Sequence, residues 1–378
     1  MELLLYVTVL LAGYTVLIEA QSSTLQLVHV LFRHGNRNPD VSDLWSSNPY
    51  YNESFYREGY GQLTNAGKRT EYRLGQLLRL RYNSFLGTEW NINTLDVRST
   101  DYNRTKMSAQ LVLAGLWPPK LRDVWLPLLN WQPIPYNYYK SSEDKELSIT
   151  GACSNVAKEF YGLLSEENIA NYLETRYGET FDILNKNTGL TGNIYNAASI
   201  YFGMLVQHQL GFRLPRWTEA IYPEPLHSAA VDIYYLLTNN TNLRQLTAGY
   251  FLRKILSDSA SKIDGTLTPS SRKMFLYSAH ENNIGTLLLS LEAYKITDIP
   301  PYGGHVLIEL HKIKGVYGFR LFYGNYESFQ PIPVKLPNCG YFCPYDDFLA
   351  QVEELIPEDS DCGKSNTLLD DISVKLTH

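Results

Sequence analysis

This 378-residue chain has no basic surplus: 33 Lys and Arg stand against 39 Asp and Glu, a formal net charge of −6. A nucleic-acid partner would need a basic face, so none is expected. Beyond Ala20 no apolar run reaches the roughly 20 residues that cross a bilayer, so no membrane anchor is expected in the body of the chain. Only four cysteines occur, Cys153, Cys339, Cys343 and Cys362, and no His pair lies near the one close couple. A zinc site therefore has little to rest on. Internal repeats and low-complexity segments are also missing, which sets aside solenoids and disordered tethers.

What is there begins with Leu3 to Ala20, apolar and small residues broken only by Tyr, Thr and Glu19, followed by polar Gln21-Ser22-Ser23-Thr24. At the extreme N-terminus this reads as a signal peptide over residues 1–20, cleaved near Ala20, with an uncleaved anchor as the alternative. Its first residues carry no Lys or Arg, and Ile18 is large for the position three before the cut. The expected product is secreted, with the lysosomal lumen as the other destination. Four cysteines allow three pairings in such a chain. Cys339-Gly-Tyr-Phe-Cys343 is a short Gly-containing loop that suggests a local bridge, leaving Cys153 to close a long loop with Cys362. Asn52, Asn103 and Asn239 head glycosylation sequons, Asn103 inside a motif where burial would block its use.

Leu25 to Phe32 is apolar apart from Gln26 and His29, as a strand covered on both faces would be. Thr64 caps a helical pattern running to about Tyr82. Leu95-Asp96-Val97 reads as a short strand ending at Arg98, and Ser99-Thr100-Asp101 then start a helix with Met107, Leu111 and Ala114 on one face. Over 119–270 helical patterns dominate: Val156 to Leu164, Glu166 to Tyr177, Ala197 to Gln209, Pro225 to Leu237 and Leu243 to Ser257. Strand patterns return with Met274 to Ala279, then His305 to His311, which alternates and pairs with Tyr317 to Tyr323 across Lys314-Gly315. The division expected is an α/β core from 21–118 and 271–345, a mainly helical cap insertion over 119–270, and a C-terminal tail from 346–378.

Three strand ends carry charge: Arg33-His34, Arg98 and His280-Glu281. Ligands of open α/β sheets sit outside the carboxyl ends of strands, so segments far apart in sequence can converge there. In Arg33-His34-Gly35-Asn36-Arg37-Asn38-Pro39 a histidine stands between two arginines. Guanidiniums grip a dianion through forked hydrogen bonds and oppose protonation of a neighbouring imidazole, a combination suited to phosphoryl transfer through histidine. A single Arg after a strand is usually a salt-bridged loop residue; it is the coincidence of three such ends that points to a site. His29, His208, His227, His305 and His311 read as packing or surface residues, and Trp125, Trp131 and Trp217 as core or cavity-rim residues with no assigned role.

Arg33-His34-Gly35-x-Arg37-x-Pro39, Arg98-Ser99-Thr100-Asp101-x-x-Arg104-Thr105, Ala279-His280-Glu281, Gly61-Gln62-Leu63-Thr64-x-x-Gly67 and the Cys339/Cys343 spacing together resemble the histidine acid phosphatase family. The branch is the one with prostatic and lysosomal acid phosphatases and insect venom or secreted acid phosphatases. The resemblance spans essentially the whole mature chain. It implies an α/β fold: a three-layer, phosphoglycerate-mutase-like sheet core with a helical insertion (cap) domain. It implies an acid phosphatase hydrolysing orthophosphoric monoesters through a phosphohistidine on His34. Glu281 would donate the proton to the leaving group; Arg33, Arg37, Arg98 and His280 would bind the phosphate. No cofactor or metal is implied, and the partners expected are a small phosphomonoester and, on resemblance alone, a second copy in a homodimer.

The chain departs from that family at Asn36 and at Glu281, where Asp is usual. Glutamate is one methylene longer with a similar intrinsic pKa, so reach and substrate preference are affected more than activity. The alternatives are a specialised phosphatase for inositol phosphates or lysophospholipids, which a substrate panel separates, and a secreted non-catalytic ligand-binding homologue such as a venom or salivary component.

Overall fold

The computed structural model describes residues 24–324 and 330–363. The expected leader and the end of the tail lie outside the described residues. β1 (Leu25–Arg33) is buried at every position but Gln26. Thr64 caps α1 (Asn65–Leu86), its hydroxyl accepting from the Gly67 N–H at 3.3 Å. β2 (Leu95–Ser99) leads into α2 (Asn103–Leu116), and a short β3 (Asn137–Tyr138) follows. A helical stretch comes next: α3 (Ser154–Leu164), α4 (Glu167–Thr188), α5 (Ile194–Gln209), α6 (Leu226–Leu236), α7 (Thr241–Arg244) and, after a π-helical turn, α8 (Tyr250–Ile263). β4 (Met274–Ala279), α9 (Glu281–Ser290), β5 (His305–Ile313), β6 (Val316–Gly324), β7 (Ile332–Val334), β8 (Cys343–Pro344) and α10 (Tyr345–Val352) complete the order.

The strands form one sheet in the order β3-β2-β4-β1-β5-β6-β7, with β8 also on β6. β3, β2, β4 and β1 are parallel; β5, β6 and β7 run antiparallel to their neighbours. Each apolar strand divides its side chains by the two-residue period. Val28, Val30 and Phe32 of β1, with Met274 and Leu276 of β4, pack under Leu74 and Leu78 of α1 and Val112 of α2. Leu27 and Leu31, with Phe275 and Tyr277, pack on the other face against α8, α9 and the helical stretch. The fold is thus α/β with helices on both faces of a mixed sheet.

β5 differs from the half-exposed strand that its alternation suggests. It is buried from His305 through His311 because its polar face is also covered. There Glu309 accepts from Tyr82 at 2.7 Å and Arg81 at 2.9 Å, and His311 bridges Glu309 to Thr24. The chain beyond β8 packs back on the sheet: Phe348 of α10 meets Phe319 of β6 at 4.7 Å between centroids. Disulfides join Cys153 to Cys362 and Cys339 to Cys343.

Candidate active site

β1 and β4 lie side by side in register, Arg33 opposite Ala279, so His34 and His280 leave the sheet together. The His34 N–H donates to the Ala279 carbonyl at 3.0 Å. The two imidazoles meet edge-on, centroids 5.5 Å apart and planes at 74°. β2 ends level with β4, Ser99 opposite Ser278, which carries Thr100 to the same rim. The Thr100 hydroxyl is 2.9 Å from His280 Nε2 and 2.8 Å from the Thr105 hydroxyl, a chain that sets the His280 ring.

His34 is buried, and its Nδ1 lies 2.9 Å from the Gly35 carbonyl. A carbonyl only accepts, so Nδ1 carries the proton and Nε2 keeps its lone pair. Burial, then the charges of Arg104, Arg33 and Arg37 and the neighbouring His280, hold the His34 pKa well below its ordinary value. Burial and the same three arginines do this to His280. Both shifts favour the neutral imidazole, the form in which a ring nitrogen keeps its lone pair. The loop carrying it is pinned by backbone contact: a Cβ on Gly35 would fall 2.4 Å from the Gly67 carbonyl oxygen, so only glycine fits. Asn36 accepts from the Thr70 hydroxyl at 3.0 Å, and Asn38 donates to the Gly59 carbonyl at 2.9 Å, so both amides anchor the loop.

Arg33 donates to the Pro300 carbonyl at 2.7 Å, lies over the Tyr302 ring at 4.1 Å, and pairs through Nε with Glu281 Oε2 at 3.2 Å. Arg37 is braced by Asp43 at 2.8 Å and Asp40 at 3.3 Å. Arg104, in the first turn of α2, faces Asp40 at 3.5 Å and stands over Tyr102 at 4.6 Å. The buried Nε groups of Arg37 and Arg104 make no hydrogen bond among the described residues. Both side chains line the same cavity.

His34, Arg37, Arg104, His280 and Glu281 line one end of a cavity of about 130 Å³. Phe160 of α3, Tyr195 and Phe202 of α5, and Ile233 and Tyr234 of α6 supply an apolar wall. Ser148 and Thr150 line it from the loop before α3. Trp125, Trp131 and Trp217 are not among the lining residues. No group of three or more His, Cys, Asp or Glu placed to hold a metal occurs among the described residues.

Arg98 is a correction. It does not reach the cavity: β2 runs on to Ser99, so Arg98 sits inside the strand, opposite Tyr277 and Asn137. Its guanidinium is taken by Asp144 at 2.6 Å and by Glu146, with Tyr139 4.6 Å away. Asp144 in turn accepts from the Leu147 N–H at 3.1 Å, so Arg98 holds the loop that forms the cavity wall. Arg104 stands in the place expected of Arg98. The signal was in the sequence, an arginine in the first turn of a helix that starts at a strand end, where backbone N–H groups already favour anions. No pattern in the sequence marks Asp40 and Asp43, which brace Arg37. Asn103 is exposed, as are Asn52 and Asn239.

The sequence profile of the histidine phosphatase superfamily (branch 2) matches residues 24–323. Venom acid phosphatase Acph-1 of Apis mellifera is 33% identical over 345 residues, 90% of this chain and 88% of that protein. Prostatic acid phosphatase of Homo sapiens is 32% identical over 351 residues, 91% of this chain and 89% of its own length. Among solved structures, the phytase from Citrobacter braakii superposes with a TM-score of 0.65 at 16% identity, covering 90% of this chain and 99% of its own; that likeness is one of fold.

Proposed function

Because this chain belongs to the histidine phosphatase superfamily, branch 2, and is an acid phosphatase acting on phosphoric monoesters, we propose that His34 is its nucleophile and Glu281 its proton donor. Nε2 of His34 attacks phosphorus, forming an N–P bond as the P–O ester bond breaks. Arg33, Arg37, Arg104 and His280 hold the phosphoryl oxygens and stabilise the charge that develops there. The Glu281 carboxyl, at the start of α9 and one-fifth exposed, passes its proton to the departing alkoxide. Water then attacks the phosphohistidine, giving its proton back to Glu281 and releasing orthophosphate. The observation that carries this reading is the His34 ring held through Nδ1 on the Gly35 carbonyl, which leaves Nε2 for attack, beside His280 and within the field of three arginines that lowers its pKa.

Among the described lining residues the cations are Arg37 and Arg104, both committed to the phosphate end. The wall of Phe160, Tyr195, Phe202 and Ile233 favours a singly phosphorylated, apolar alcohol, the lysophospholipid class, over inositol polyphosphates, whose further phosphates would meet no partner. The segment 119–270 acts as the cap that shapes this wall. Export through the leader over residues 1–20, to the exterior or the lysosomal lumen, and homodimer formation belong to the same proposal. Among the described residues no helix is long and apolar enough to cross a membrane.

The test is turnover of p-nitrophenyl phosphate at about pH 5, with and without tartrate, and an acid-versus-alkali stability check on protein quenched with a radiolabelled ester. Wild type should carry acid-labile, alkali-stable label. His34→Ala should carry none and lose at least about 10³-fold in kcat. An active His34→Ala, or acid-stable label, overturns the assignment.

A further inference from the structure

Tyr234 of α6 lays its ring on Gly285 of α9: a Cβ at Gly285 would stand 3.1 Å from ring atoms Cγ and Cδ1. Gly285 is four residues after Glu281, so the carboxylate occupies the same helix face one turn above that ring. Tyr234 is 2% exposed, lines the cavity together with Glu281, and its hydroxyl has no hydrogen-bond partner among the described residues. Of the two carboxylates whose charge reaches this phenol, Glu281 acts more strongly than Asp298, and a buried phenolic O–H is stabilised by such an acceptor.

We propose that Tyr234 is a positioning residue for the proton donor, its O–H donating to the Glu281 carboxyl. Burial and the nearby Glu281 charge hold the Tyr234 pKa well above its ordinary value, so the phenol keeps its proton and acts only as a donor. Arg33 pairs with Oε2 of Glu281, and the Tyr234 hydroxyl, without a partner among the described residues, would take the carboxyl as it turns from Arg33 toward the ester oxygen. The two partners together would orient the longer glutamate arm. When the Glu281 proton moves to the departing alkoxide, the carboxylate left behind accepts the Tyr234 hydrogen bond; no proton leaves the phenol. Helix α6 of the cap thereby takes part in general-acid catalysis, an inference that rests on Glu281 being the acid.

The experiment compares kcat/KM for p-nitrophenyl phosphate, whose phenolate departs without help, with that for glycerol 2-phosphate, an alkyl ester that needs protonation. Tyr234→Phe removes one oxygen and keeps the packing. The alkyl ester should slow by about 10-fold and the aryl ester by less than about 2-fold, with Glu281→Gln showing the same selectivity more strongly. In the double variant, Tyr234→Phe should add no further alkyl-selective loss. If Glu281→Gln is selective while Tyr234→Phe slows both esters equally, or neither, this inference falls and the general-acid reading stands. If Glu281→Gln is itself unselective, that reading falls and takes this one with it.

Discussion

Arg33 Nε lies 3.2 Å from Oε2 of Glu281, tying the last residue of β1 to the first of α9. The pair joins the proposed phosphate-binding cation to the proposed acid. A phosphoryl group entering between them would compete for the guanidinium and free the carboxyl to turn toward the ester oxygen.

Glu281→Gln preserves the shape of that side chain and removes its proton. Alkyl monoesters should lose about 10²- to 10⁴-fold in kcat/KM, the usual worth of a positioned general acid. p-Nitrophenyl phosphate should lose far less. Equal losses across a leaving-group series would reject the role.

Arg104 and Arg98 should part company. On the proposed mechanism Arg104→Ala removes a charge that stabilises the phosphoryl oxygens, so every monoester should slow by about 10²- to 10³-fold with little change in melting temperature. Arg98→Met strands Asp144, a carboxylate 1% exposed, and breaking such a pair costs about 3–5 kcal/mol. Thermal melts and kinetics on both variants check the division. An Arg98→Met protein that melts normally but is dead would restore Arg98 to the phosphate site.

His29 supplies a prediction about acid stability. Its ring stacks on Phe275 at 4.8 Å, and burial, with some help from Lys254, lowers its pKa to about 3. Between that value and the unfolded value near 6.5, the unfolded chain binds a proton that the folded chain does not. Stability therefore falls as pH falls through this window, by about 1.4 kcal/mol per pH unit from this one group. His29→Phe should lose a constant amount for the 3.2 Å contact with Tyr277 but regain stability relative to wild type as pH drops. Denaturant titrations at several pH values would show it; a difference independent of pH would mean that His29 titrates normally.

Strand ends were the legible part of the site. Leu25 to Phe32 is apolar enough to be a two-sided strand, and Arg33-His34 follows it directly; Met274 to Ala279 and His280 repeat the arrangement. Arg98 lies inside β2, which runs past the Leu95-Asp96-Val97 pattern to Ser99, and the carboxylates of Asp144 and Glu146 that take it lie 46 and 48 positions away, beyond what a local pattern shows. The polar face of β5 was hidden for the same reason, since Tyr82 covers Glu309 from 227 positions off.

Local chemistry written along the chain determined which side chains are the candidates: an imidazole flanked by guanidiniums, and a second imidazole followed by a carboxyl, each where an apolar run stops. Register and packing decided the rest. That Arg104 rather than Arg98 reaches the cavity, that Thr100 orients His280, and that Tyr234 lies against Gly285 all depend on where strands end and which helices cross. These are contacts between segments distant in sequence, whose free energies come from burial and pairing that exist only once the chain is folded.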